Sequence, residues 1–197
     1  MYGITLASPR KPQNTTPVLR GKISVVNLFS SVWAERQVAS FTGQNENPGL
    51  YEAIKVADKI QSQLVQTVDI NLEDNLAKAW LVRMFMWRMR RQMPEDQHKR
   101  YFLVRKGVDE GTKEAIGMMN SRVGYVYLLD ENCRIRWAGS GPAEKTELAG
   151  LNNGVRKLIE ERRMSLESEI PVEQWEERRT DELKRSKPKT RVVMRAS

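Results

Sequence analysis

The chain has 197 residues, of which 40% are hydrophobic and 29% charged, with a formal net charge of +8; that balance describes a folded domain rather than a wholly disordered chain. Its one cysteine, Cys133, excludes an intramolecular disulfide, and its one histidine, His98, leaves no zinc constellation. No apolar run approaches the roughly 18 residues of a membrane span, since the best candidate, Ala79 to Trp87, is broken by Arg83 and followed by Arg88, Arg90 and Arg91.

Residues 1–20 read as an extended leader: Pro9, Pro12 and Pro17 break helices, and no acidic residue precedes Glu35. With Arg10, Lys11, Arg20 and Lys22, this is the composition of an organelle transit segment without its amphipathic helix. Ile23 to Phe29 is a β-branched and aromatic run that predicts a buried strand. Ser30 and Ser31 supply capping hydroxyls for a helix over Trp33 to Phe41. After a loop over Gly43 to Gly49, Ile54, Ala57, Ile60 and Leu64 recur at helical spacing, and Leu64 to Asn71 alternates like a strand.

A long helix is then expected from Asn75 to Met93, stopped by Pro94. Between Asn75 and Lys106 nine Lys and Arg stand against only Glu95 and Asp96, so most of the excess charge lies on this segment. Such a segment suits an acidic partner, a membrane surface or nucleic acid, although a solvated helix face is the plainer reading. Tyr101 to Arg105 is either strand or helix, and Thr112 to Asn120 predicts a further helix. Val123 to Leu129, a turn at Asp130 to Asn132 and Arg134 to Ala138 form a hairpin, and Glu144 to Arg163 a closing amphipathic helix. Residues 21–164 thus make the domain, and 165–197 a charged, Pro-interrupted tail with room for one helix around Trp175. The order of elements is that of an α/β, thioredoxin-like fold: a central mixed sheet flanked by helices, here with a long basic helical insertion.

Thioredoxin chemistry needs two cysteines at the amino terminus of the first helix, one to attack and one to resolve the mixed disulfide. Here Trp33 is the tryptophan that precedes the dithiol, and Ala34 and Gln37 stand where the cysteines would be. Gly124 occupies the place of the cis-proline before the third strand, and Cys133 falls in the hairpin turn, away from that helix. Ser30 and Ser31 have no base beside them in sequence, so a serine nucleophile has no support.

Two blocks carry more than fold pattern: ISVVNLFSSVWAERQVASF (Ile23 to Phe41) and EAIGMMNSRVGYVYLLDENCRIRWAGSGPAE (Glu114 to Glu144). With KAWLVRMF (Lys78 to Phe85) and HKRYFLVRKG (His98 to Gly107), they resemble the mitochondrial assembly factor of the F-type ATP synthase, the family called ATPase-complex assembly protein ten. The resemblance implies a peripheral protein on the matrix side of the inner membrane. It implies a non-catalytic chaperone that binds the membrane-embedded subunit a (subunit 6) and promotes its joining to the c-ring. No cofactor, metal or nucleic acid is implied.

The candidate partner-binding residues are Trp33, Trp80, Met84, Trp87, Arg88, Arg91, Arg134, Arg136 and Trp137. Trp80, Met84 and Trp87 form one row on the long helix, and Met86, Met89 and Met93 a second. The Trp80 row is expected to pack on the sheet as core; alternatively it meets an apolar client segment or an anionic membrane surface, and both hold if the helix uses two faces. In the hairpin, alternation puts Arg134 and Arg136 on one face and Ile135 and Trp137 on the other, with Trp137 expected in the core. Trp33 is likewise expected to pack. Two rival functions remain open at this stage: a basic RNA- or ribosome-associated protein, and a thioredoxin-type oxidoreductase.

Overall fold

The structure is a computed structural model that describes residues 1–73, 76–105, 108–120, 122–167 and 174. Seven strands form one sheet in the order β2-β1-β5-β4-β3-β6-β7. They are β1 (Tyr2–Thr5), β2 (Gln13–Asn14), β3 (Ile23–Phe29), β4 (Val65–Leu72), β5 (Tyr101–Val104), β6 (Tyr125–Leu129) and β7 (Ile135–Ser140). The central pairs β3–β4 and β4–β5 are parallel, and the remaining pairs antiparallel. Among the described residues the α-helices are α1 (Thr16–Leu19), α2 (Val32–Thr42), α3 (Pro48–Ile60), α4 (Leu76–Gln92), α5 (Glu110–Ala115) and α6 (Lys145–Glu167). Met1–Ile159 makes one compact unit and Glu160–Ser197 a second, in which Arg163 pairs with Glu160 and Glu167 along the end of α6.

All seven residues of β3 are buried, as a strand covered on both faces by helices and loops must be. On one face, Val25, Phe29, Val126 and Leu128 meet Phe41 of α2, Leu50 of α3, Met86 of α4 and Leu151 of α6. On the other, Val26, Leu28, Val68, Phe102 and Tyr127 meet Met118, with Val18 and Leu19 of α1 closing the edge. Local signals start the helices. Ser31 Oγ accepts the Ala34 N–H at 3.1 Å at the start of α2, and Asn47 Oδ1 accepts the Leu50 N–H at 3.3 Å ahead of Pro48 in α3.

In three elements the structure corrects or decides the sequence reading of the fold. The expected leader is partly sheet: β1 pairs with β5 through Gly3, Ile4 and Thr5, and Leu6 is fully buried. Tyr101 to Arg105, undecided from sequence, holds the strand Tyr101–Val104, which pairs with β1 on one side and β4 on the other and has all four residues buried. The helix expected over Thr112 to Asn120 runs over Glu110–Ala115 and stops ahead of Gly117, which adopts φ +74° and turns the chain. The expected helix around Trp175 lies outside the described residues.

Candidate functional site

The site begins at the end of β3, where Ser31 caps α2. The hydroxyl of Ser31, not Ala34, occupies the position on which the helix's amino-terminal N–H groups converge. Counted from that cap, a pair of residues three apart falls on Ser31 and Ala34, whereas counting from Trp33 gives Ala34 and Gln37; cysteine stands at none of these positions. Gln37 lies a turn deeper and is buried, where its Oε1 accepts the Gly124 N–H at 2.9 Å. A Cβ on Gly124 would stand 2.4 Å from the Ala34 carbonyl oxygen. The loop before β6 therefore closes directly onto the backbone of α2. Among the described residues, no peptide bond is cis.

Beside this helix end lies a cavity of about 610 Å³, walled by Val32 and Glu35 of α2, Val82, Phe85 and Met89 of α4, and Tyr101 of β5. Its lining is mostly apolar, with Glu35 at the rim. Burial, and then the charge of Asp69, holds the Glu35 carboxyl above its ordinary value. Tyr101 is raised as well, chiefly by burial, although its hydroxyl accepts from Asn71 Nδ2 at 3.1 Å.

Asp69 of β4 faces a separate cavity of about 440 Å³. Its two oxygens accept from Asn27 Nδ2 at 2.8 Å and Gln97 Nε2 at 3.1 Å. These hydrogen bonds and the neighbouring Arg100 favour the charged form, but loss of hydration outweighs them and the pKa rises. Arg100 is itself ion-paired with Asp96. Among the described residues, no three His, Cys, Asp or Glu are placed to hold a metal ion.

The long helix α4 reverses the expected assignment of its two rows. Met86 is buried, and Met89 and Met93 pack against the same core. Trp80 and Trp87 are 65% and 63% exposed, with Met84 exposed between them. The expectation that the Trp80 row is core is therefore overturned. A helix row has no way to signal in sequence which side faces the sheet, and here the thinner, flexible thioethers fit the irregular space. Arg91 folds back so that its guanidinium carbon lies 3.8 Å from the Trp87 ring centroid. Arg88 is exposed next to this row, and Arg90 Nη2 donates to the Ala7 carbonyl at 3.2 Å.

Trp33 is also exposed, at 60%, contrary to the packing expected of it; it projects from the first turn of α2, next to Val32. In the hairpin, Leu128 pairs with Trp137 but Leu129 with Ile135, so a bulge at Arg136 breaks the alternation. Trp137 then faces the α2 side, edge-on to Phe41 with centroids 5.8 Å apart, as the core reading expects. Ile135, expected beside it, goes to the opposite face. Arg136 binds Asp130 at 3.0 Å, and Arg134 and Arg136 are both exposed, while Trp137 is turned to the core. Sequence reasoning missed Val32, Phe85 and Glu35; the cap at Ser31 was the signal that could have placed the first and last on one helix end.

A central mixed sheet with this α2 end, which carries no cysteine at either count, defines a thioredoxin-like protein without the thioredoxin redox centre. A solved structure of a thioredoxin-like protein from Porphyromonas gingivalis shares the fold, with a TM-score of 0.50 at 17% identity, covering 82% of this chain and 90% of that one. The family model described as ATP10 protein matches residues 1–158, and the chain belongs to that family. It is 34% identical over 145 residues to the mitochondrial ATPase complex subunit ATP10 of Eremothecium gossypii, covering 73% of this chain and 51% of that protein. The protein of the same name from Saccharomyces cerevisiae is 30% identical over 153 residues, covering 75% and 54%. The chain thus spans about half the length of these curated relatives.

Proposed function

We propose that this chain is a non-catalytic assembly factor of the mitochondrial ATP synthase, which holds an apolar segment of the membrane-embedded subunit a (subunit 6) on the matrix side of the inner membrane until it joins the c-ring. The match to the ATP10 family over residues 1–158 carries the reading. The chemistry of the site supports it. A thiol–disulfide exchange centre needs an attacking and a resolving sulfur, and Ser31 and Ala34 supply neither. Cys133 lies in the hairpin turn, where burial and Asp130 push its thiol up, away from the thiolate form. The apolar cavity between α2 and α4 then serves as a holding groove, with Val32 and Phe85 at its exposed mouth.

The test is recovery of synthase subunits from mitochondria in mild detergent, with the wild-type chain and with Val32→Ser/Phe85→Ser as bait. Recovery of subunit a with wild type, and its loss with the variant, is the expected result. Recovery of ribosomal RNA or of redox partners in place of synthase subunits refutes the reading.

A further inference from the structure

We propose that the outward stripe of α4, Trp80, Met84, Trp87 and Arg91, is a docking surface for a bilayer containing anionic phospholipids. The proposal rests on the reading that the chain works beside a membrane, and names the element and the lipid chemistry that hold it there.

The geometry starts from the buried side of α4. At about 100° per residue, Met86, Met89 and Met93 share one side of the helix, and they are the residues packed on the core. Trp80, Met84, Trp87 and Arg91 follow at intervals of four, three and four, which places them together on the opposite side. The helix is therefore apolar twice over. Its inner row is satisfied by the sheet, and its outer row leaves two indoles about two-thirds exposed.

Charge decides what covers the outer row. No Asp or Glu occurs between Leu76 and Gln92, whereas Lys78, Arg83, Arg88, Arg90 and Arg91 all do. Arg83 and Arg88 are exposed on either flank of the indoles, and the Arg91 guanidinium is held at the level of the Trp87 ring. The occupant must therefore offer apolar contact and negative charge at the same depth along a surface about three turns long. The boundary between phosphate headgroups and acyl chains does this. Indoles prefer that boundary because the ring is apolar and its N–H is not, and arginine stems reach along it to phosphate.

The helix lies on such a surface and does not enter it. Among the described residues no helix is long and apolar enough to cross a membrane. Phe85 lies on the flank of α4, in the cavity shared with Val32, so docking through the outer stripe leaves the groove open. One helix then divides its circumference among core, client and lipid.

The experiment is sedimentation of the purified chain with vesicles of phosphatidylcholine alone and of phosphatidylcholine mixed with phosphatidylglycerol. Wild type is expected on the mixed vesicles, with a blue shift of tryptophan emission and release by added salt, and in solution with phosphatidylcholine alone. Trp80→Ser/Trp87→Ser and Arg88→Glu/Arg91→Glu are each expected to weaken partitioning about tenfold or more, with unchanged melting temperatures because both pairs are exposed. Equal binding to both vesicle types, or wild-type binding by both variants, overturns the proposal. So does loss of subunit a in the detergent pull-down by Trp80→Ser/Trp87→Ser with vesicle binding intact, which assigns the stripe to a protein partner. A chain that binds anionic vesicles but recovers no synthase subunit upholds the docking surface and refutes the assembly reading alone.

Discussion

Replacing Gly124 with Ala tests whether the loop before β6 is clamped onto α2 as described. The residue is needed for space, because its Cβ would meet the Ala34 carbonyl oxygen at 2.4 Å and Val38 Cγ1 at 2.8 Å. Backbone cannot swing aside as a long side chain can, so the loop must retreat, at about 1–3 kcal/mol for an overpacked interior. That retreat stretches the 2.9 Å hydrogen bond from the Gly124 N–H to Gln37 Oε1, and leaving such a buried donor unmatched costs about another 1–3 kcal/mol. The expected total is about 2–6 kcal/mol, or a fall in melting temperature of about 4–24 °C for a domain of this size. Urea and thermal unfolding of the purified chain measure it. Gln37→Met removes the acceptor alone, and the double variant should cost less than the two singles added, since both act on one contact. A loss below about 0.5 kcal/mol in Gly124→Ala refutes the clamp.

Two further predictions concern the same region. Ser31→Cys/Ala34→Cys should place two thiols at the α2 cap spacing and oxidise readily to a disulfide, with the first thiol below the ordinary cysteine value of about 8.5, whereas Ala34→Cys/Gln37→Cys should not. Mass spectrometry of alkylated samples distinguishes them, and oxidation of the second pair alone refutes the count from the cap. Asp69 is held above its ordinary value of 3.8, so the folded chain keeps a proton that the unfolded chain has released, and stability falls as pH rises from that value through the raised one. Asp69→Asn should flatten that part of the urea-midpoint profile, leaving the slope of Glu35, which is raised in the same sense; an unchanged profile refutes the assignment.

The interior strands were legible because their residue types leave little choice. Ile23–Phe29 matches its β-branched run residue for residue, and Tyr125–Leu129 falls within the expected Val123 to Leu129. Periodicity placed α4 within a residue of its bounds but could not orient it, since two apolar rows fit one wheel and indole is the more hydrophobic choice for a core. The hairpin's faces were lost for a related reason. A single bulge at Arg136 shifts everything before it to the other side of the sheet, and nothing in RIRWA announces it. β1 was hidden because its pairing with β5 spans about a hundred residues, and local pattern carries no trace of such a partner. The emptied redox site was half legible. The missing cysteines are plain in the sequence, but a count from the cap and a count from Trp33 give different pairs.

The sheet order has a consequence for the growing chain. Strand β3 ends at Phe29, and its antiparallel neighbour β6 begins only at Tyr125. At a synthesis rate of roughly 5–20 residues per second, about 5–20 s separate the emergence of the two. In that interval β4 can cover one edge of β3, while the other stays bare along a run of Ile, Val, Val, Leu and Phe. Any route by which the chain reaches its place of work must hold that edge apart from other strands until Leu129 has followed.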